Sequence, residues 1–203
     1  MGIPKPVHRL TPQDYYALER AAEFKSEYYD GEMLAMAGGS TRHSLVKIQL
    51  CGELLVKLKA KGRGCLPCDN DQRIKITATG LRTYPDASVF CGRMEYDEED
   101  DQKETAINPT ALFEVLSDST EAYDRGTKAE HYRKIASLRA YALLSQNGPH
   151  IELYERQSDG SWKLTEASGL DSSLEIQSLD IQLSLAAIYD QVEFPLPALK
   201  LVK

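Results

Sequence analysis

Apolar residues recur along this chain with a helical period in some segments and in short unbroken runs in others. Leucine and isoleucine return at helical spacing from Ser40 to about Lys61, which predicts a long helix that Gly62 ends. Capping residues and helical spacing predict further helices over about 11–22, 124–135 and 184–191, and we expect Asp124 to be the cap of the helix over 124–135.

The short apolar runs predict strands separated by polar turns. The Asp-Gly pairs at 30–31 and 159–160 favour tight hairpins, because both residues of such a turn can adopt positive φ. Helices and strands together predict an α/β fold, a central mixed sheet with a helix on either side. The predicted strands are about Leu66–Cys68, Arg73–Thr77, Ala87–Phe90, Ala111–Leu116, Tyr141–Ser145, Ile151–Arg156 and Trp162–Glu166.

The length and composition of the chain predict one domain that does not span a membrane. A chain of 203 residues with 42% hydrophobic content can bury one sizeable core, so we expect a single domain over 1–193. Residues 194–203 contain two prolines and no clear period, which predicts a loose C-terminal extension. No apolar run approaches the ~20 residues of a membrane span, and the N-terminus lacks the apolar core of a signal peptide. We therefore expect a cytoplasmic protein.

The four cysteines fit a reducing compartment as ordinary thiols. Cys65 and Cys68 have a spacing known from zinc and redox sites. A proline separates them and no second Cys or His pair lies nearby, so the pattern favours unremarkable thiols.

The formal charge of −7 argues against a protein that coats nucleic acid, because binding to phosphates draws on clustered lysine and arginine. It does not exclude a nuclease, since the acids are unevenly distributed. Segment 93–104 is dense in them, and we expect it to be a solvated, mobile loop.

Two carboxylates stand where apolar strands are predicted. Glu114 lies inside an otherwise apolar run, and Asp86 directly precedes another. An unpaired buried charge costs several kcal/mol, about 2–7 even for neutral polar groups, so such acids need a partner. A divalent cation held between the two is one explanation. Asp86 also has a simpler one, since Pro85-Asp86 is common turn chemistry.

The order of these and other polar residues resembles that of the Uma-two family of restriction-endonuclease-like proteins, a branch of the PD-(D/E)xK nuclease superfamily. The resemblance covers roughly residues 10 to 190. It rests on Glu27 with Asp30-Gly31-Glu32, His43, Pro85-Asp86, Glu114-Val115-Leu116-Ser117, Tyr123-Asp124-Arg125, Lys128 and Tyr132.

The resemblance implies a restriction-endonuclease-like core and a metal site. Magnesium, with manganese as a substitute, would bind Asp86, Glu114 and the carbonyl oxygen of Val115. The superfamily's lysine usually follows the acid by two residues, where this chain has Leu116. The family resembles a migrated arrangement in which a helix supplies the lysine, and Lys128 is the matching position.

Several of these residues have a second interpretation. Asp124 and Lys128 are four apart on one predicted helix, the spacing of a surface ion pair worth ~0.3–0.5 kcal/mol. Glu27 is either a third catalytic carboxylate, holding a metal-bound water or a second metal, or a solvated acid. His43 is either a site member or a cap or phosphate contact, and Tyr132 either hydrogen-bonds in the site or only packs.

Two functions therefore follow from the sequence. The first is a metal-dependent DNA endonuclease that hydrolyses phosphodiester bonds, as a homodimer because two subunits are needed to cut both strands. The second is a non-catalytic nucleic-acid-binding or regulatory module that keeps the fold. The acidic balance favours the second, and the presence of Asp86, Glu114 and Lys128 together favours the first.

Overall fold

The computed structural model describes residues 9–36 and 38–194. The expectations about the N-terminus and about most of the C-terminal extension fall on residues outside this part. The helices are α1 Pro12–Ala21, α2 Thr41–Lys61, α3 Glu121–Tyr123, α4 Ala129–Tyr132 and α5 Leu185–Ile188, with a π-helical segment, Asp124–Lys128, between α3 and α4. The strands are β1 Ser26–Tyr29, β2 Glu32–Ala35, β3 Cys65–Asp69, β4 Arg73–Lys75, β5 Arg82–Thr83, β6 Ala87–Cys91, β7 Thr105–Ala106, β8 Ala111–Leu116, β9 Ala140–Ser145, β10 His150–Arg156, β11 Trp162–Ser168, β12 Ser173–Ile176 and β13 Ile181–Ser184.

A six-stranded mixed sheet in the order β11-β10-β9-β8-β6-β3 forms the centre of the fold. Its middle pair, β8 and β9, is parallel, and its other pairs are antiparallel. A second sheet has the order β2-β1-β5-β4-β7, and β12 pairs with β13 as a separate hairpin. The predicted α/β architecture with a central mixed sheet is confirmed.

The two faces of the central sheet cover two cores, because side chains alternate along a strand. Phe113 and Val115 of β8 pack with α2 and α5 on one face. Leu112 and Leu116 pack on the other face with α4 and residues of the second sheet, such as Ile74. Glu114 shares the parity of Leu112 and Leu116, so its carboxylate enters the second core beneath α4.

Local sequence signals fixed most boundaries. Thr11 and Asp14 form a reciprocal capping box at the start of α1, and Ser40 caps α2. Gly62 ends α2 with a φ of 63°, the left-handed conformation that favours glycine. The turn between β1 and β2 has positive φ at Asp30 and Gly31, as the hairpin prediction requires.

The helix predicted to begin at Asp124 begins earlier. Helical structure starts at Glu121, and a π-helical segment with non-helical dihedrals at Gly126 occupies the expected first turn. Asp124 is therefore not a cap: its side chain is buried, 4% exposed, beside Lys128. π-Helical turns inside helices are frequent at functional sites.

The acidic segment is a mostly exposed loop, as its composition predicted, but two of its acids are buried and paired. Asp97 and Asp100 are buried at 5% and 1% exposure. Asp97 accepts a hydrogen bond from Tyr16 and pairs with Lys75 at 2.7 Å, while Asp100 pairs with Arg73 at 3.2 Å. The two acids are buried because strands β4 and β5 of the second sheet, which lie apart from the central sheet, present basic side chains to them.

The prediction of four reduced thiols is wrong for two cysteines. Antiparallel pairing of β3 and β6 places Cys65 opposite Cys91, with Cα atoms 4.0 Å apart, and the two form a disulfide. Cys51 and Cys68 are free thiols. Cys65 therefore pairs across strands and does not act with Cys68.

In the part of the chain that the structure describes, no helix is long and apolar enough to cross a membrane.

Candidate metal and catalytic site

One cavity of about 520 Å³ gathers the acidic residues and the lysine singled out from the sequence. The strand β1, the start of β6, the end of β8 and the π-helical segment all contribute to it. Its wall includes Glu27, Asp86, Glu114, Val115 and Lys128. A second cavity of similar size, near Cys51 and Pro67, has no lysine or histidine in its wall.

Asp86 lies at the point where β6 and β8 separate. Ala87 pairs with Phe113, so Asp86 stands beside the 114–115 segment of the neighbouring strand. Its Oδ2 accepts a hydrogen bond from the Val115 backbone N–H at 2.8 Å. A strand residue points its N–H and C=O to the same side, so the Val115 carbonyl faces this side as well.

His43 contacts the same carboxylate from α2, with its Nε2 3.1 Å from Asp86 Oδ2. Burial alone would raise the pKa of Asp86. The hydrogen bonds from His43 and from the Val115 N–H, with the charge of Lys128, outweigh burial and hold that pKa below its usual range. Asp86 is therefore an anion at neutral pH. The contact identifies His43 as a neighbour of the site and not only a residue near the helix start.

Two donors from the helical region that follows β8 contact one oxygen of Glu114. The Tyr132 hydroxyl donates to its Oε1 at 2.7 Å, and the Lys128 ammonium lies 2.8 Å from the same oxygen. Burial raises the pKa of Glu114 to about 8; Lys128 opposes this rise, and the charges of Asp124 and Asp86 add to it. Tyr132 thus does both things left open by the sequence: it is fully buried and it hydrogen-bonds in the site.

Lys128 lies at the centre of a buried group of carboxylates. Its ammonium is 2.8 Å from Glu114, 3.4 Å from Asp124 and 3.6 Å from Glu27. Burial would lower its pKa, but these three acids raise it well above the usual value, so Lys128 stays charged. The expectation of a surface pair between Asp124 and Lys128 is wrong, because both side chains are about 5% exposed or less.

Glu27 occupies β1 and is buried at 8% exposure, so it is not a solvated acid. Its Oε1 accepts a hydrogen bond from the Thr83 hydroxyl, and its Oε2 accepts one from Tyr123 at 2.9 Å. Both oxygens therefore serve donors within the protein. This arrangement suits a group that fixes Lys128 better than one that binds a cation directly.

Sequence reasoning missed two members of this site. Asp124 was assigned to a cap or a surface pair, yet it is buried and its pKa is raised, first by burial. Tyr123 was noted only within the motif that carries the resemblance, and it joins Glu27 to the helix. Their adjacency to Lys128 in a polar sequence was a signal, but only the buried position of the π-helical segment distinguishes a site from a solvated face.

The donor set fits a hard divalent cation. The described hydrogen bonds to Asp86 use Oδ2 and that to Glu114 uses Oε1, which leaves the second oxygen of each carboxylate for a metal. The two carboxylates share one face of the sheet, and a backbone carbonyl points towards them. Magnesium is typically bound by one or two carboxylates with the remaining positions filled by water and phosphate oxygens.

A second group of potential ligands lies on β10 and β11. Ligand atoms of His150, Glu152 and Glu166 lie within 4.8 Å of one another. Arg125 pairs with Glu152 at 2.6 Å, so a cation already neutralises part of this group. It is the internal competitor for any metal that binds the protein.

Comparison with known proteins gives this geometry a context. The model of the family described as "Uma2: Putative restriction endonuclease" matches residues 12–187. The uncharacterized protein slr1290 of Synechocystis sp. is 34% identical over 195 residues, which cover 93% of this chain and 96% of that protein. A second uncharacterized Synechocystis protein, sll1609, is 30% identical over 172 residues, which cover 85% of this chain and 95% of that protein.

A solved structure has the same fold. It is that of a putative nuclease belonging to DUF820 from Anabaena variabilis ATCC 29413, with a TM-score of 0.68 and 18% identity. The superposition covers 87% of this chain and 96% of that one.

Proposed function

This chain belongs to the Uma2 family of putative restriction endonucleases, and we propose that it is a metal-dependent DNA endonuclease that hydrolyses phosphodiester bonds in the cavity around Asp86 and Glu114. Family membership supports a nuclease-like function. The observation that carries the finer proposal is a charged, buried lysine 2.8 Å from a buried glutamate, next to an ionised aspartate that directly precedes the neighbouring strand β6.

Asp86, Glu114 and the Val115 carbonyl would hold magnesium, or manganese in its place. When bound, the metal would polarise a phosphate oxygen and lower the pKa of an attacking water. Asp86 is already ionised and needs no proton loss to bind. Glu114, with its raised pKa, gains the stronger electrostatic benefit from a nearby cation, because a cation replaces the repulsion from Asp86 and Asp124 with attraction.

Lys128 acts next to the metal and not as a ligand. Because it stays protonated, it orients the attacking water as a hydrogen-bond donor and stabilises the charge that develops on the phosphate. Glu27 and Asp124 position its ammonium from the other side, and Tyr132 holds Glu114. Each of these contacts comes from a buried side chain, so the geometry is set before substrate arrives.

The physiological form on this proposal is a cytoplasmic homodimer. One cavity of this size holds one set of catalytic groups, and cutting both strands of a duplex takes two. Dimerisation places a second, identical cavity on the complementary strand.

The non-catalytic alternative rests on the salt bridges themselves. Lys128 is surrounded by three acids, and such a group could be purely structural. Supercoiled plasmid with magnesium separates the two functions. We expect nicking and linearisation by the wild type and none by Asp86→Asn or Glu114→Gln. Plasmid binding without cleavage, together with a manganese-soaked crystal that shows no metal between Asp86 and Glu114, would establish the binding module instead.

A further inference from the structure

A second lysine, Lys47, lines the same cavity from α2 and has no part in the interactions described above. It follows His43 by four residues on that helix, the spacing that places two side chains on one face. His43 reaches Asp86 from this face, at 3.1 Å. The face of α2 whose His43 contacts Asp86 therefore also presents the Lys47 ammonium to the cavity, one turn further along the helix.

The two lysines of the cavity differ in their partners. Lys128 is buried among three carboxylates, whereas among the described residues no ion pair is formed by Lys47. Asp71 is close enough to interact with the charge of Lys47, but its carboxylate forms an ion pair with Lys25. In a chain of net charge −7, a half-buried cation in an acidic cavity without an acidic partner is available to an anion from outside.

Charge balance gives Lys47 a task. Four carboxylates, Glu27, Asp86, Glu114 and Asp124, line the cavity against the ammonium groups of Lys47 and Lys128. With all four ionised, one divalent cation brings the formal charge of the wall to zero. Without Lys47 the wall would remain negative and would repel the anionic backbone of a nucleic acid.

We propose that Lys47 binds a backbone phosphate next to the one that is cleaved, so that the site recognises a strand with consecutive phosphates and not an isolated phosphodiester. The inference rests on the proposed function and names the substrate class of the same site. Lys128 faces the cleaved phosphate, and Lys47 faces its neighbour on the α2 side. Lys47 is a positioning residue in this arrangement.

The test compares Lys47→Ala with Lys59→Ala. Lys59 is an exposed lysine of the same helix outside the cavity wall, so its removal changes the net charge equally. With a DNA oligonucleotide and magnesium, Lys47→Ala should raise KM about tenfold with little change in kcat, and Lys59→Ala should change neither. With bis(p-nitrophenyl) phosphate, a single diester, Lys47→Ala should raise KM much less than it does with the oligonucleotide.

A binding measurement tests the role of Lys47 independently of cleavage. In calcium, the slope of log affinity against log salt for the oligonucleotide should fall by about one for Lys47→Ala and stay unchanged for Lys59→Ala. Equal slopes and equal KM for the two variants would overturn the role of Lys47 even if the wild type cleaves DNA. A wild type that binds with the expected Lys47 dependence and does not cleave would overturn the nuclease proposal and keep the phosphate subsite.

Discussion

The ammonium of Lys128 lies 2.8 Å from Oε1 of Glu114, and each of these side chains is 5% exposed. Eleven residues of chain lie between Leu116, the end of β8, and Lys128, so the contact depends on how the intervening helix folds back over the sheet. The parity of β8 turns Glu114 towards that helix, and the π-helical segment turns Lys128 towards the sheet.

Removing this lysine should cost both activity and stability. Lys128→Ala leaves three carboxylates without their cation, and breaking a buried pair in this way typically costs ~3–5 kcal/mol. We expect loss of metal-dependent DNA cleavage and a clearly lower melting temperature. Lys128→Arg should also be largely inactive, because a planar guanidinium does not fit the position of a point charge.

The control for that experiment is Lys134→Ala, which removes an exposed lysine just after the same helix. It should leave melting temperature and cleavage close to wild type. Cleavage is compared at a temperature where circular dichroism shows every variant folded. A folded Lys128→Ala protein that cuts at the wild-type rate would refute the catalytic role.

Metal should stabilise the folded protein through Asp86 and Glu114. A ligand that binds only the native state raises its stability by ~2.7 kcal/mol at a concentration one hundred times its Kd. We expect magnesium and manganese to raise the melting temperature of the wild type. In the Asp86→Asn, Glu114→Gln double variant, most of this metal-induced rise should be lost. Differential scanning calorimetry measures both.

The matched control for metal binding is a Glu152→Gln, Glu166→Gln double variant, which removes two carboxylates from the group around His150. It should keep the full metal-induced shift. If the metal-induced rise in melting temperature were lost in this control and kept in the Asp86→Asn, Glu114→Gln variant, the metal would bind at β10 and β11 and not in the cavity.

Tyr132 should contribute to metal affinity without touching the metal. Tyr132→Phe deletes only the hydroxyl that donates to Glu114 at 2.7 Å, so the cost in stability should be about 1 kcal/mol. Loss of a group that orients a ligand commonly weakens metal binding ~10-fold or more. Manganese titration by isothermal calorimetry would show the change, and an unaltered Kd would mean that Tyr132 only packs.

The acidic segment should make the fold sensitive to acid. Burial would raise the pKa of Asp97, but Lys75, Tyr16 and the Glu99 backbone N–H outweigh it, so that pKa is lowered. A carboxyl whose folded pKa lies below its unfolded value of ~3.9 adds stability above that pH, and the gain disappears as pH falls through the folded pKa.

Asp97→Asn should therefore lower the melting temperature at pH 7 and flatten its decline between about pH 5 and pH 3. Glu98→Gln changes an exposed acid in the same segment and should leave the profile as in the wild type. Melting curves across that range decide the matter, and parallel profiles for the two variants would show that the segment adds nothing through Asp97.

Local rules in the sequence determined most of the secondary structure. The capping box at Thr11, the left-handed glycine at position 62 and the Asp-Gly turn at 30–31 depend on neighbouring residues alone. The run around Glu114 likewise predicted a buried strand, which is β8. Strands β5 and β7 of the second sheet and the β12–β13 hairpin were missed, because runs of two to four residues carry too little periodicity to be recognised.

The sequence by itself determined which chemical groups this protein has, the strand on which Glu114 lies and the strand that Asp86 directly precedes. Only the tertiary structure decided their surroundings. Spacing four apart on a helix describes an exposed ion pair and a buried one equally well, so the burial of Asp124 with Lys128 was undetermined. Composition predicted that all of segment 93–104 is solvated, whereas Asp97 and Asp100 are buried against basic side chains from distant strands. Burial and charge pairing are properties of contacts between segments far apart in the chain, and local residue patterns do not encode them.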